Sequence, residues 1–288
     1  MIPTQQRSMV LALLCSMSFA VEPVVFCRQV PERADDFAWE NDLVAFRAYG
    51  PALRGKTEDS GIDVWQKRVP YPIINHWYAD NAAGKPYHID RGEGLDAYHT
   101  GSSRGTGGTA LWVKDRLVTA GPYRTWRISA QESMHAEFTL TYTYPATATD
   151  LPIEEIKDFS IKAHEPWFTV VSTFTRGGQP VSNLTIAIGV TTHDGQGKVT
   201  LDPLGRWLMV EESIQGQLLW TGLALPVTAQ LSEVRQPIAK DASHALGILT
   251  TDESGVVRYR AGYGWAKAGR IISAADWQHV LATAATSF

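Results

Sequence analysis

Met134-His-Ala-Glu-Phe-Thr-Leu-Thr-Tyr-Thr-Tyr144 decides the fold. Its large residues recur at every second position, so Phe138, Leu140, Tyr142 and Tyr144 fall on one face of an extended chain. That is the pattern of a strand with one face buried. The same period returns at 43–49, 109–113, 116–121, 123–129, 153–164 and 167–176, and again at 184–192, 206–213, 217–223, 245–251 and 256–264. Short turns such as Lys114-Asp115, Gly177-Gly178 and Gln215-Gly216 separate them. Many strands joined by short turns predict an all-β chain, a large antiparallel β-sandwich. Two helical pieces interrupt the pattern. Ser273-Ala-Ala-Asp276 reads as a capping box, with Trp277, Val280, Leu281 and Ala284 on one face of a short C-terminal helix. A weaker helix falls within 61–77, where Pro70 and Pro72 break it.

The chain has 288 residues, 19% of them charged, and a formal charge of −4. No Lys/Arg run is present, so nucleic acid is excluded as a partner. Residues 1–20 are expected to be a secretory signal peptide. An apolar run from Met9 follows Arg7, and Ser18 and Ala20 supply the small residues before a cleavage point. The run is too short for a membrane span, so export to the periplasm or the medium is expected, with no membrane contact after cleavage. Removal of the leader leaves Cys27 alone, so no internal disulfide is available and the core must hold the fold. Residues 21–36 read as an extended entry and 37–288 as one sandwich domain.

The chemistry concentrates between residues 62 and 104. Tyr87-His-Ile-Asp-Arg-Gly-Glu-Gly-Leu-Asp-Ala-Tyr-His-Thr-Gly-Ser-Ser-Arg-Gly-Thr-Gly-Gly108 carries two histidines, three carboxylates and two arginines. Glycine at that density costs backbone entropy, so this stretch reads as a binding or catalytic loop. His88 and His99 suit general bases or metal ligands. Asp90, Glu93 and Asp96 in one place would repel, which raises a pKa or calls for a cation. No zinc spacing is present, and a divalent cation near His88 and Asp90 is the one candidate cofactor. Tyr98 suits a proton donor, and Arg104, set among glycines, a carboxylate clamp. Upstream, Arg47, Lys67, Arg68 and His76 beside Trp65 and Trp77 suit sugar binding: ring faces stack on C–H groups while charges grip hydroxyls or carboxylates. Each Trp alone also reads as core. His193-Asp194-Gly195 closes a strand and can reach a site at the sandwich rim, but reads first as a turn.

Five stretches carry a resemblance. They are Trp39-Glu-Asn-Asp-Leu-Val-Ala-Phe-Arg-Ala-Tyr-Gly50, Ser60-Gly-Ile-Asp-Val-Trp-Gln-Lys-Arg68, His88-x-Asp-x-Gly-Glu-Gly-Leu-Asp96, Ser103-Arg-Gly-x-Gly-Gly108 and Ala261-Gly-Tyr-Gly-Trp-Ala-Lys-Ala-Gly269. Across roughly 37–285 the chain resembles an exported bacterial family known only as a domain of unknown function, typically encoded in polysaccharide-utilisation clusters beside enzymes of uronic-acid oligosaccharides. The resemblance implies a galactose-mutarotase-like supersandwich and a carbohydrate partner. It implies a substrate class and no reaction. The expectation is an enzyme acting on uronate-containing saccharides by elimination, as a lyase or dehydratase. His88 or His99 would be the base, Tyr98 the acid, and Arg47, Lys67 or Arg104 the neutralising cation. The alternatives are a glycoside hydrolase using Asp90 and Glu93, and a non-catalytic carbohydrate-binding sandwich.

Overall fold

A computed structural model describes residues 24–146, 151–193, 195–234, 241, 243–286 and 288. The expected signal peptide lies outside them. Strands β1 (Phe26–Val30), β2 (Asp36–Glu40), β3 (Ala45–Ala48), β4 (Ile62–Lys67) and, after helix α1 (Ile74–Ala82), β5 (Gly94–Leu95) form the first sheet in that order. Next come β6 (Thr106–Val113), β7 (Arg116–Val118), β8 (Thr125–Gln131), β9 (His135–Tyr144), β10 (Ile153–Lys162), β11 (Trp167–Arg176), β12 (Gln179–Pro180) and β13 (Thr185–Thr191). The chain continues through β14 (Lys198–Asp202), β15 (Trp207–Ile214), β16 (Gln217–Ala224), β17 (Gln230–Val234), β18 (His244–Thr250) and β19 (Val256–Trp265) to helix α2 (Ala274–Thr286). Nine strands make the largest sheet, ordered β14-β15-β16-β19-β11-β10-β9-β8 with β12 beside β11. The third sheet runs β17-β18-β13-β6-β7. The ladders are antiparallel. The expected fold class is the observed one.

One core joins the three sheets. Phe138, Leu140, Phe159 and Phe168 of the largest sheet meet Phe37, Trp39 and Phe46 of the first and Ile186, Ile188 and Val190 of the third. Cross-strand register puts Phe138 opposite Phe159, with ring centroids 4.7 Å apart. Trp39 lies 5.2 Å from Phe159 and 5.4 Å from Phe168. Each such ring contributes about 1.5–3 kcal/mol through burial. Cys27 is a buried free thiol inside this core, pushed up to about 12 by burial, and is inert there.

Helix α2 starts as its sequence dictates. The Ser273 hydroxyl accepts from the Asp276 N–H, and the Asp276 carboxylate accepts from the Ile272 and Ser273 N–H groups. Trp277 and Leu281 then bury against Trp207, Met209 and Trp220. Helix α1 differs from expectation. Pro70 and Pro72 lie in the turn before it, and Ile62–Lys67 is a strand, buried at every position. The glycines of Ser103–Gly108 serve the packing of chains. At Gly105 (φ 57°) a Cβ would lie 2.0 Å from the Ile62 carbonyl oxygen, and at Gly107 (φ 92°) 2.6 Å from the Ala261 methyl. Among the described residues no helix is long and apolar enough to cross a membrane.

Candidate active site

The ionisable residues read from the sequence separate into several places. Asp90 meets Lys267 at 2.6 Å and Arg68 at 3.4 Å. Glu93 is held by the Tyr71 hydroxyl (2.7 Å), the His76 ring (2.8 Å) and the Trp77 indole N–H (3.0 Å). Asp96 lies inside the protein with Arg47 and Asp63. His88 is exposed and donates from Nδ1 to the Asp96 carbonyl at 2.7 Å. The three carboxylates therefore do not share a site, and His88 and Asp90 face different partners. One pKa does rise, that of Asp96, because burial and the charge of Asp63 oppose its ionisation.

Asp90 shifts the other way. Partial burial pushes it up, but Lys267 and the N–H groups of Gly92 and Gly94 outweigh that and hold the carboxyl below its usual range. A depressed folded pKa gives stability that is present above the unfolded value of about 3.9 and lost as pH falls through the folded value. Asp90→Asn is therefore expected to flatten the loss of melting temperature between about pH 5 and pH 3. Unchanged acid dependence in that variant would count against the Lys267 tie.

The upstream residues also separate. Trp65 has no exposed surface and packs on Trp77, Tyr78 and Tyr87. Arg47 lies among Tyr49, Trp65 and Tyr87, with Asp63 and Asp96 as counter-charges. Lys67 is enclosed with Glu40 at 2.6 Å. These three present no face to a saccharide in this structure. His76 and Trp77 gather at Glu93, on α1. Arg104 is interior, bonded to the Ser60 hydroxyl at 2.7 Å.

Chemistry gathers instead in a cleft of about 440 Å³ lined by His99, His193, Gln196, Glu212, Ser213 and Gln215. It lies where the turn after β13 and the loop before β6 meet the β15–β16 hairpin. The His99 Nδ1 is 2.6 Å from an Asp241 oxygen, and the His193 Nδ1 is 2.7 Å from a Glu212 oxygen. An ionised carboxylate only accepts, so Nδ1 carries the proton in both rings. The His99 Nε2 faces Glu58 at 3.5 Å. The second oxygens of Asp241 and Glu212 are buried without a hydrogen-bond partner. Tyr98 sets the His193 ring from behind, edge to face at 4.9 Å, while its hydroxyl pairs with Thr106. Burial raises the Tyr98 pKa well above the usual phenol value, so it stays neutral. Of the residues read from sequence as catalytic, His99 lines this cleft, while Tyr98 is buried behind the His193 ring and does not present its hydroxyl to the cleft. His193 reaches it too; its left-handed backbone (φ 52°) is the turn that the sequence suggested, and that turn delivers the ring. Glu212 and Asp241 had no signal in the sequence. Among the described residues no group of three or more His, Cys, Asp or Glu side chains is arranged to hold a metal ion.

Residues 16–288 match the model of a domain of unknown function, DUF4861. Uncharacterized protein P7 of Formosa agariphila is 35% identical over 273 residues, covering 90% of this chain and 67% of that protein. Among solved structures, a GH36 α-galactosidase of Geobacillus stearothermophilus bound to 1-deoxygalactonojirimycin is similar with a TM-score of 0.38 and 8% identity, covering 80% of this chain. This chain spans 40% of that enzyme's length. A galactose 1-epimerase of Lactobacillus acidophilus is similar with a TM-score of 0.36 and 9% identity, over 84% of this chain and 98% of that one.

Proposed function

The chain belongs to the DUF4861 family, and from the cleft between His99 and His193 we propose that it is a carbohydrate-active enzyme that acts on uronic-acid-containing oligosaccharides by elimination, as a lyase or a dehydratase. One observation carries the reading: two imidazoles in one cleft, each fixed through Nδ1 by a carboxylate. Elimination beside a carboxylate needs a base for the C5 proton and an acid for the departing oxygen. Two imidazoles in one cleft are the side chains suited to both roles. The paired carboxylate stabilises each imidazolium as it forms. Ser213 and Gln215 offer neutral donors to hydroxyls and to the uronate carboxylate. Asp90 and Glu93 are already engaged by cations and aromatic donors, which gives the hydrolase reading no comparable support.

The test is incubation with fragments of pectin, ulvan and alginate, followed by ultraviolet absorbance of unsaturated uronate and mass spectrometry. New absorbance with chain cleavage is the lyase outcome. Loss of one water without cleavage is the dehydratase outcome. Gain of water on cleavage, or no change on any fragment, would overturn the proposal; the latter favours a binding module.

A further inference from the structure

Away from the cleft, two buried cations converge on one small cavity. Arg104 and Lys157 are each 3% exposed. Both line a small pocket with about 10 Å³ of free space, together with Ser60, Gly108, Tyr142 and Tyr144. Both also lean on Thr109: the Lys157 ammonium donates to its hydroxyl at 2.8 Å, and the Arg104 guanidinium points at its carbonyl at 3.5 Å. The charges there do not balance among the described residues. Arg104 donates only to neutral oxygens, those of Ser60, Ser102 and Thr109, and its Nε has no partner. Glu155 is the carboxylate of the cluster, and it is already occupied. It accepts from Thr109, Tyr144 and Ser172, and the Lys157 ammonium stands 3.5 Å away. Asp59 is partly exposed and accepts from the Gly55 N–H. Tyr142 and Tyr144 cannot supply negative charge, because burial raises both phenols far above their usual range.

A buried cation without a counter-ion is costly, and proteins pair it or neutralise it. A water molecule would satisfy hydrogen bonds but leave the net charge. The cavity has room for a single small guest. We propose that this cavity binds one monovalent anion of halide size between Arg104 and Lys157. The ion completes the cluster, with one charge balancing Arg104 while Glu155 balances Lys157. It ties the loop before β6 to β10 of the largest sheet. The rival arrangement is loss of the Lys157 proton, which leaves no demand for an anion.

Two readouts on the intact protein test the proposal. The thermal midpoint is followed as sodium chloride replaces sodium gluconate at constant ionic strength. Crystals grown with bromide are examined for an anomalous peak. Site binding predicts a saturable rise in the midpoint and a bromide peak between the two side chains. Arg104→Gln is expected to abolish the rise. If that variant does not fold, Lys157→Met carries the same comparison. A midpoint indifferent to chloride, or bromide found only at the surface, would overturn the proposal and favour a neutral Lys157.

Discussion

His193→Ala is expected to lower turnover on the responsive substrate by about 10²–10⁴-fold, the usual contribution of a positioned acid or base. Some loss of melting temperature is expected as well, because the His193 side chain is only 18% exposed and its removal leaves the 10%-exposed Glu212 without that partner, so turnover is compared per folded molecule. His99→Ala is expected to behave the same way. Glu212→Gln is the sharper variant. Its amide can present an N–H to the His193 Nδ1, which forces that nitrogen to accept and places the ring proton on Nε2. The base nitrogen is then blocked although the ring stays in place, and a loss comparable to His193→Ala follows. The measurement is the rate for each variant beside its melting curve. Full activity in both histidine variants would remove the cleft from consideration. Loss in His193→Ala with none in Glu212→Gln would keep the histidine but discard the tautomer argument. Glu93→Ala is the control: it removes the acceptor of Tyr71, His76 and Trp77 and is expected to cost stability rather than turnover.

Legibility followed burial. β9, β10 and β11 bury one face each, so their period of two is visible, and the expected strand at 167–176 coincides with β11. β2 and β4 are buried at every position and still contain Asp36, Glu40, Asp63 and Lys67. With no polar face there is no alternation, and with charges inside there is no apolar run. Only the paired partners explain those residues, and pairing is a property of the folded chain. The site divides the same way. His99 and Tyr98 stood out because they lie in a loop dense with charge. Glu212 is 19 residues from His193 on a strand of another sheet, and Asp241 is 142 residues from His99. Nothing local marks such contacts, so the cleft was legible in the loop before β6 and in the His193 turn, and its carboxylates were not.

Glu40→Ala is expected to cost about 3–5 kcal/mol, or to prevent folding outright. Glu40 and Lys67 have no exposed side-chain surface and meet at 2.6 Å. The Lys67 ammonium finds one other acceptor, the Asn41 carbonyl at 2.6 Å, so removal of Glu40 leaves a buried cation without a counter-charge. The same carboxylate accepts from the Ile73 and Ile74 N–H groups, each at 2.9 Å. It therefore also satisfies two buried donors at the start of α1. Losing it orphans two backbone donors and removes the counter-charge of Lys67 at once. Lys67→Met should cost less, because Glu40 keeps both backbone donors and the methionine refills the space. In a double-mutant cycle, Glu40→Leu with Lys67→Met should be more stable than the sum of the single losses, since two apolar groups remove the uncompensated charge. Denaturant midpoints of the four proteins measure this. The cycle also separates two roles for Lys67. As a cation that neutralises a substrate carboxylate, it would lower turnover per folded molecule when replaced. As an enclosed partner of Glu40, it would change the midpoint and leave that turnover intact, and its complete burial predicts the second result.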